Sequence, residues 1–215
     1  MDNGLNAANT LKLKWSHFDH YYGHLLPLVI KQLNKKNIHL KEYYGAGVYG
    51  RVFSIGNGKI IKITPNYTDS PYHMNGGNDF GLARAIIATG GHKSLPMFSD
   101  AWKTRDLSFV VREDLKDIPG IHFDMCSCIM NCDWGYELEE GNYHAATIIV
   151  ERMKTSSFEF NKHLNDILLM IQWLKRFSIK LGDISLNNSG WRESDKSIVI
   201  RDLSRCALSK GVKFR

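Results

Sequence analysis

With 215 residues and 43% hydrophobic content, the chain has room for one domain or two small lobes around a real core. No apolar run reaches the ~18 residues of a membrane span, and the first twenty residues carry polar and charged residues throughout, which argues against a signal peptide. The net charge of +6 and pI of about 9.1 favour an acidic partner (nucleotide, nucleic acid or acidic protein surface), although the basic residues are scattered as on any soluble surface. Four cysteines without a secretory context point to a reducing, cytoplasmic setting, with no membrane partner.

Residues 1–12 are polar. Over 15–33 the apolar residues Trp15, Phe18, Tyr22, Leu25, Leu26, Val29, Ile30 and Leu33 recur mostly every three or four positions. That spacing predicts an amphipathic helix, kinked or divided at Pro27.

The next stretch reads Y-Y-G-A-G-V-Y-G-R-V-F-S-I-G-N-G-K-I-I-K-I-T. Gly45, Gly47 and Gly50 fit G-x-G-x-x-G, and Val52 follows two positions on. Alone this pattern is weak, because a dinucleotide-binding turn carries it too. Its flanks separate the two: Val52, Phe53 and Ile55 read as a strand and not a helix, and Gly56-Asn57-Gly58 is a hairpin turn leading into a second strand over 59–64. Glycine lets the backbone amides of such a hairpin come close to a ligand. Lys62 lies within the returning strand, in I-I-K-I, and Lys59 begins it beside the turn.

A polar loop follows, then a helix over 79–89 closed by Gly90-Gly91, then strands over 95–102 and 107–111. His122, Cys126, Cys128 and Cys132 form an H-x3-C-x-C-x3-C array. Zinc accepts four such ligands, but the spacing fits no common knuckle, and buried free thiols are the alternative. Residues 145–153 read as a strand, and 160–177 as a helix with the apolar stripe Leu164, Ile167, Leu168, Ile171, Leu174 and Phe177.

That helix leads into 180–203, where Asp183 is followed five positions on by Asn188, then a polar turn, an apolar run (Ile198, Val199, Ile200) and Asp202. Taken alone, this is also how a polar loop between strands looks. In order along the chain, however, stand a Gly-rich hairpin, a strand lysine, a buried helix, a D-x4-N loop, a hairpin and a second Asp. Over residues 41–205 this order resembles the protein kinases. More narrowly the chain is similar to the early serine/threonine kinases of T-odd tailed bacteriophages. These share a compact lower lobe and a catalytic loop without His-Arg, here Leu181-Gly182-Asp183, and a short tail after the metal motif, here Asp202-Leu203-Ser204.

The resemblance implies an α+β, two-lobed kinase-like fold. It would comprise an N-terminal helical extension (1–40), an N-lobe of sheet plus one helix (41–112) and a reduced C-lobe (113–215). It implies ATP and Mg as cofactors. Gly45, Gly47 and Gly50 would cover the phosphates, with Val52 and Ile60 against the adenine. Lys62 would grip the α- and β-phosphates, Asn188 and Asp202 would hold magnesium, and Asp183 would receive the hydroxyl proton. Residues 109–113 would form the hinge behind the adenine. The implied partners are protein substrates of a bacterial host.

Several positions depart from the family pattern. Leu181 and Gly182 leave no arginine to grip a phosphorylated activation loop. Ser185 replaces a lysine, and Ser204 replaces a glycine. No Glu occurs between Glu42 and Glu113, so Asp79 is the nearest acid to pair with Lys62. The Asp79-Phe80-Gly81 tripeptide precedes Asp183 and so is not the metal motif. Thirteen residues follow Asp202, which leaves no room for the usual activation segment. Two other functions remain open: a small-molecule phosphotransferase, and a pseudokinase-type protein that inhibits a host factor by docking.

Overall fold

The computed structural model describes residues 23–47, 50–66, 79–203 and 205–208. The chain forms two compact units: 23–66 with 101–114, and 79–100 with 115–208.

In the first unit, β1 (Tyr43–Gly47), β2 (Gly50–Gly56), β3 (Lys59–Pro65), β4 (Phe98–Lys103) and β5 (Leu107–Glu113) make one sheet ordered β1-β2-β3-β5-β4. The β1–β2, β2–β3 and β3–β5 pairs are antiparallel. Period-two alternation sorts the side chains. Phe53, Ile61, Ile63, Leu107, Phe109 and Val111 face one side, where they share a core with Leu25, Val29 and Leu33. Val52, Lys62 and Val110 are register partners across β2, β3 and β5 on the other side. Helix α1 (Leu26–Lys35) carries Pro27 in its first turn, where a missing amide hydrogen costs nothing. A 3-10 turn at Gly23–Leu25 precedes it, so Pro27 starts the helix and does not kink its interior. The rest of the expected 15–33 helix lies outside the described residues. Because Val29 and Leu33 are buried under the sheet, α1 belongs to the core of this unit and is not an appended extension. The β2–β3 turn is as expected, with Gly56, Asn57 and Gly58 all at positive φ (83°, 53° and 64°).

The second unit is mainly helical. It contains α2 (Asp79–Thr89), α3 (Gly120–Met130), α4 (Trp134–Glu140), α5 (Tyr143–Arg152) and α6 (Phe158–Arg176). Two short strand pairs complete it: β6 (Ile179–Leu181) with β9 (Cys206–Leu208), and the hairpin β7 (Ser189–Arg192) with β8 (Ser197–Ile200). The predicted stripe of α6 is buried as expected, and Ser157 caps its start by accepting from the Phe160 amide at 3.3 Å.

Two expectations need correction. Residues 145–153 are helix, not strand. The β-branched run Ile148-Ile149-Val150 suggested a strand, but the buried positions are Ala146 and Val150, four apart, as on a helix face. Helix α2 was expected with the sheet, yet its Leu82, Ala85 and Ile86 pack in the core of the second unit.

If α1 covers the sheet as described, Leu33→Ala should lower unfolding free energy by about 2–5 kcal/mol. Urea denaturation measures this, and a loss below about 1 kcal/mol would show the face is not closed by this helix.

Candidate active site

The loop that follows α6 is built from backbone contacts outward. Ser178 reverses the chain at φ 51°, and β6 then pairs antiparallel with β9, with Leu181 opposite Cys206. Ile179 and Leu181 are buried, while Lys180 between them points outward and donates to the Glu140 carbonyl at 2.9 Å. At Gly182 the amide donates to the Arg205 carbonyl at 3.0 Å. A Cβ there would lie 2.7 Å from Glu139 Cδ and 3.0 Å from that same carbonyl. Glu139 is in turn ion-paired with Arg205. Position 182 therefore has no space for a side chain unless this pair moves.

Asp183 comes next, exposed and at φ 57°. The left-handed region costs a non-glycine residue on the order of 1–2 kcal/mol, so the surrounding structure must hold it there. Asn188 does so: its Nδ2 donates to the Asp183 carbonyl at 2.8 Å. Within the loop, the Ser185 carbonyl accepts from the Asn188 amide at 3.2 Å and from Ser189 Oγ at 2.8 Å. The Asn188 carbonyl accepts from the amides of Arg201 at 2.7 Å and Asp202 at 3.3 Å. Asp183, Asn188 and Asp202 thus share one hydrogen-bonded frame.

Helix packing supports that frame from one side. A Cβ at Gly135 on α4 would sit 3.0 Å from Ile184 Cβ, so the helix lies directly against the loop. On the other side the β7–β8 hairpin is fastened to its surroundings. Trp191 and Lys116 exchange backbone hydrogen bonds of 2.8 and 3.3 Å. The buried Arg192 donates to the carbonyls of Lys93 (2.5 Å) and Leu95 (3.0 Å), and the Ile200 amide donates to the Ser94 carbonyl at 3.0 Å.

This arrangement offers an exposed carboxylate, a second carboxylate and an amide whose nitrogen is already committed, leaving its oxygen as the remaining acceptor. All are hard oxygen donors of the kind magnesium takes, with water and phosphate oxygens completing its octahedron. Ser204, the third residue of the second motif, lies outside the described residues.

The residues expected to hold nucleotide are in the first unit. Gly45 has φ 151°, which favours glycine. Gly47 pairs with Gly50 across the hairpin, while Val48 and Tyr49 lie outside the described residues. At Gly50 a Cβ would meet the Ile63 carbonyl and Thr64 Oγ1, both at 2.8 Å, so only glycine permits this approach of β2 to β3. Val52 and Lys62 are direct cross-strand partners, and Ile60 is two residues before Lys62 on the same face. Asp79 opens α2 in the second unit and is buried.

The four candidate zinc ligands do not converge: among the described residues no group of three or more His, Cys, Asp and Glu side chains could hold a metal. His122 instead stacks on Trp191 with centroids 4.7 Å apart. Cys126 is buried in the core, and burial pushes its thiol up to about 11. Sequence reasoning missed Arg192 and Arg201, whose acceptors lie up to 99 residues away and leave no local pattern.

No protein-family model matches the chain, and no curated protein does. Among solved structures it is similar to the crystal structure of Rad53 1-466 in complex with AMP-PNP, at 13% identity and a TM-score of 0.45. The match covers 84% of this chain and 42% of that one.

His92 and His163 both have their imidazole pKa lowered from the usual 6.5, mainly by burial. Asp166 opposes the shift in both, Lys93 and Arg192 add to it at His92, and Lys162 and His122 add to it at His163, where Glu159 opposes. The folded state therefore binds fewer protons than the unfolded state just below pH 6.5. Stability should be full above that pH and fall as the pH drops towards the folded values. Urea denaturation at pH 7.5, 6.5 and 5.5 should show this decline, with a shallower slope in His163→Phe. An equal slope in the variant would remove His163 as a contributor.

Proposed function

We propose that the chain is an ATP- and magnesium-dependent serine/threonine protein kinase with a two-lobed, kinase-like arrangement. The observation that carries this reading is the frame in which Asn188 bonds both Asp183 and the Asp202 backbone. It is supported by the order along the chain, in which a Gly-rich hairpin and its strand lysine precede that frame.

In this reading Val52 and Ile60 supply apolar surface for the adenine, and the backbone of Gly45 to Gly50 covers the phosphates. Lys62 holds the α- and β-phosphates in line. Asn188 and Asp202 would hold magnesium, which would supply positive charge against the phosphate oxygens. Asp183 positions the substrate hydroxyl and takes its proton as the serine or threonine oxygen bonds to the γ-phosphorus. The bond from that phosphorus to the β,γ-bridging oxygen breaks, and ADP leaves.

Gly182 stands where most protein kinases carry an arginine, and an arginine there would have to displace the Glu139 side chain from its pair with Arg205. The frame is assembled without it, in keeping with an enzyme that needs no activation-loop phosphorylation. We further propose that it is phage-encoded and acts in the host cytoplasm on host proteins, and on itself, to modulate host gene expression or defence. No helix among the described residues is long and apolar enough to cross a membrane.

Incubation with magnesium and γ-labelled ATP, alone and with bacterial lysate, tests the reading. Label on serine or threonine should appear and fall by about 10²–10⁴-fold in Asp183→Ala. Lys62→Ala should cost less, since Lys62 positions without accepting the proton. Absence of label with nucleotide binding retained would overturn the protein-kinase reading, leaving a docking protein or a small-molecule acceptor.

A further inference from the structure

We infer that Arg201 is the positioning residue that sets Asn188 against Asp202. This rests on the kinase reading for what those two side chains hold. The geometry itself is independent of that reading.

Arg201 reaches the loop at two successive carbonyls. Its backbone amide donates to the Asn188 carbonyl at 2.7 Å, and its Nη2 donates to the Asn187 carbonyl at 3.2 Å. Pinning both carbonyls fixes the two peptide planes that flank the Asn188 Cα, and with them the direction in which the Asn188 side chain leaves the backbone. Asp202 is the next residue and its amide shares the Asn188 carbonyl, so both metal-holding candidates hang on that carbonyl; the backbone bonds form with any residue at 201, and the Nη2 contact to Asn187 is what the arginine side chain adds. Asp183 follows, since its carbonyl is held by Asn188 Nδ2.

The second branch of the guanidinium, Nη1, pairs with Asp117 Oδ1 at 2.8 Å. Asp117 is 90% exposed, so the pair is worth little as an ion pair. It keeps the planar fork turned towards the loop. The arginine stem runs past Gly190, where a Cβ would lie 3.5 Å from Arg201 Cδ. A lysine has the reach and charge for one acceptor but lacks the fork that spans two in fixed geometry.

The test uses the full chain with Mn²⁺ as a spin probe for magnesium. Mn²⁺ binding in the presence of ADP is read by electron paramagnetic resonance, and ADP binding in EDTA is measured separately. Arg201→Ala should weaken Mn²⁺ binding about 10–100-fold, as loss of a residue that orients a metal ligand does. Arg201→Lys should fall between Arg201→Ala and the wild type, and keeps the test open if Arg201→Ala fails to fold. Asp117→Asn should change affinity less than about fivefold. ADP affinity in EDTA should be unchanged in all three.

Wild-type Mn²⁺ affinity in the arginine variants would overturn the inference, as would an equal loss of metal-free ADP affinity, which would report general damage. Failure of the wild type to bind Mn²⁺ with ADP would remove the kinase reading and the inference together. Intact wild-type binding with unaffected variants would remove the inference alone.

Discussion

The structure around the candidate site depends on Asn188. Its amide nitrogen holds the carbonyl of a residue in the left-handed region, and its own carbonyl holds the two amides that begin the second motif. Each bond is worth on the order of 1 kcal/mol net, less than the rest of the fold could lose without unfolding. Their importance is geometric. A loop of six residues, exposed at Asp183 and Asn187, would otherwise sample many conformations, and fixing each residue costs about 1–2 kcal/mol of entropy. Three bonds converging on one asparagine replace that freedom with one backbone arrangement.

The second constraint is the closeness of β6 to β9. A glycine at 182 lets the Arg205 carbonyl and the Glu139 carboxylate approach the backbone, and the Glu139–Arg205 ion pair then ties α4 to the chain just past Asp202. Arg192 does the equivalent for the hairpin. A buried guanidinium is costly unless its donors are met, and here two carbonyls, Ser197 Oγ and the Asp195 carboxylate meet them. The hairpin between Asn188 and Asp202 is thus anchored at its far end to residues 93–95, independent of anything at the loop.

Much of this was legible in the chain. Period-two alternation and the Gly56-Asn57-Gly58 turn gave β2 and β3 nearly to the residue, and the apolar stripe gave α6. Residues 143–152 were not legible, because four β-branched residues in a row (Thr147 to Val150) match a buried strand as well as a helix, and only the partners decide. The spacing of Asp183, Asn188 and Asp202 was visible. The left-handed backbone at Asp183 was not, since no local signal marks it, and neither was Arg201, whose partners come from residues 117 and 187. Sequence shows which residues are of a useful type, while long-range hydrogen bonds decide which of them meet.

The distribution of side-chain and backbone roles also bears on how far this loop can vary. Leu181 contributes a buried aliphatic side chain and a ladder position. Gly182 contributes an absence of side chain, and Ser185 contributes a carbonyl that another residue would also supply. None of the three offers a side-chain donor or acceptor to the frame. Asp183, Asn188 and Asp202 differ: Asn188 ties the frame through its side-chain nitrogen and its carbonyl, and Asp183 and Asp202 each enter it through the backbone. Substitution at 181 or 182 therefore acts on how the loop is supported, since a larger residue at 182 must displace the Glu139–Arg205 pair beside Asp183.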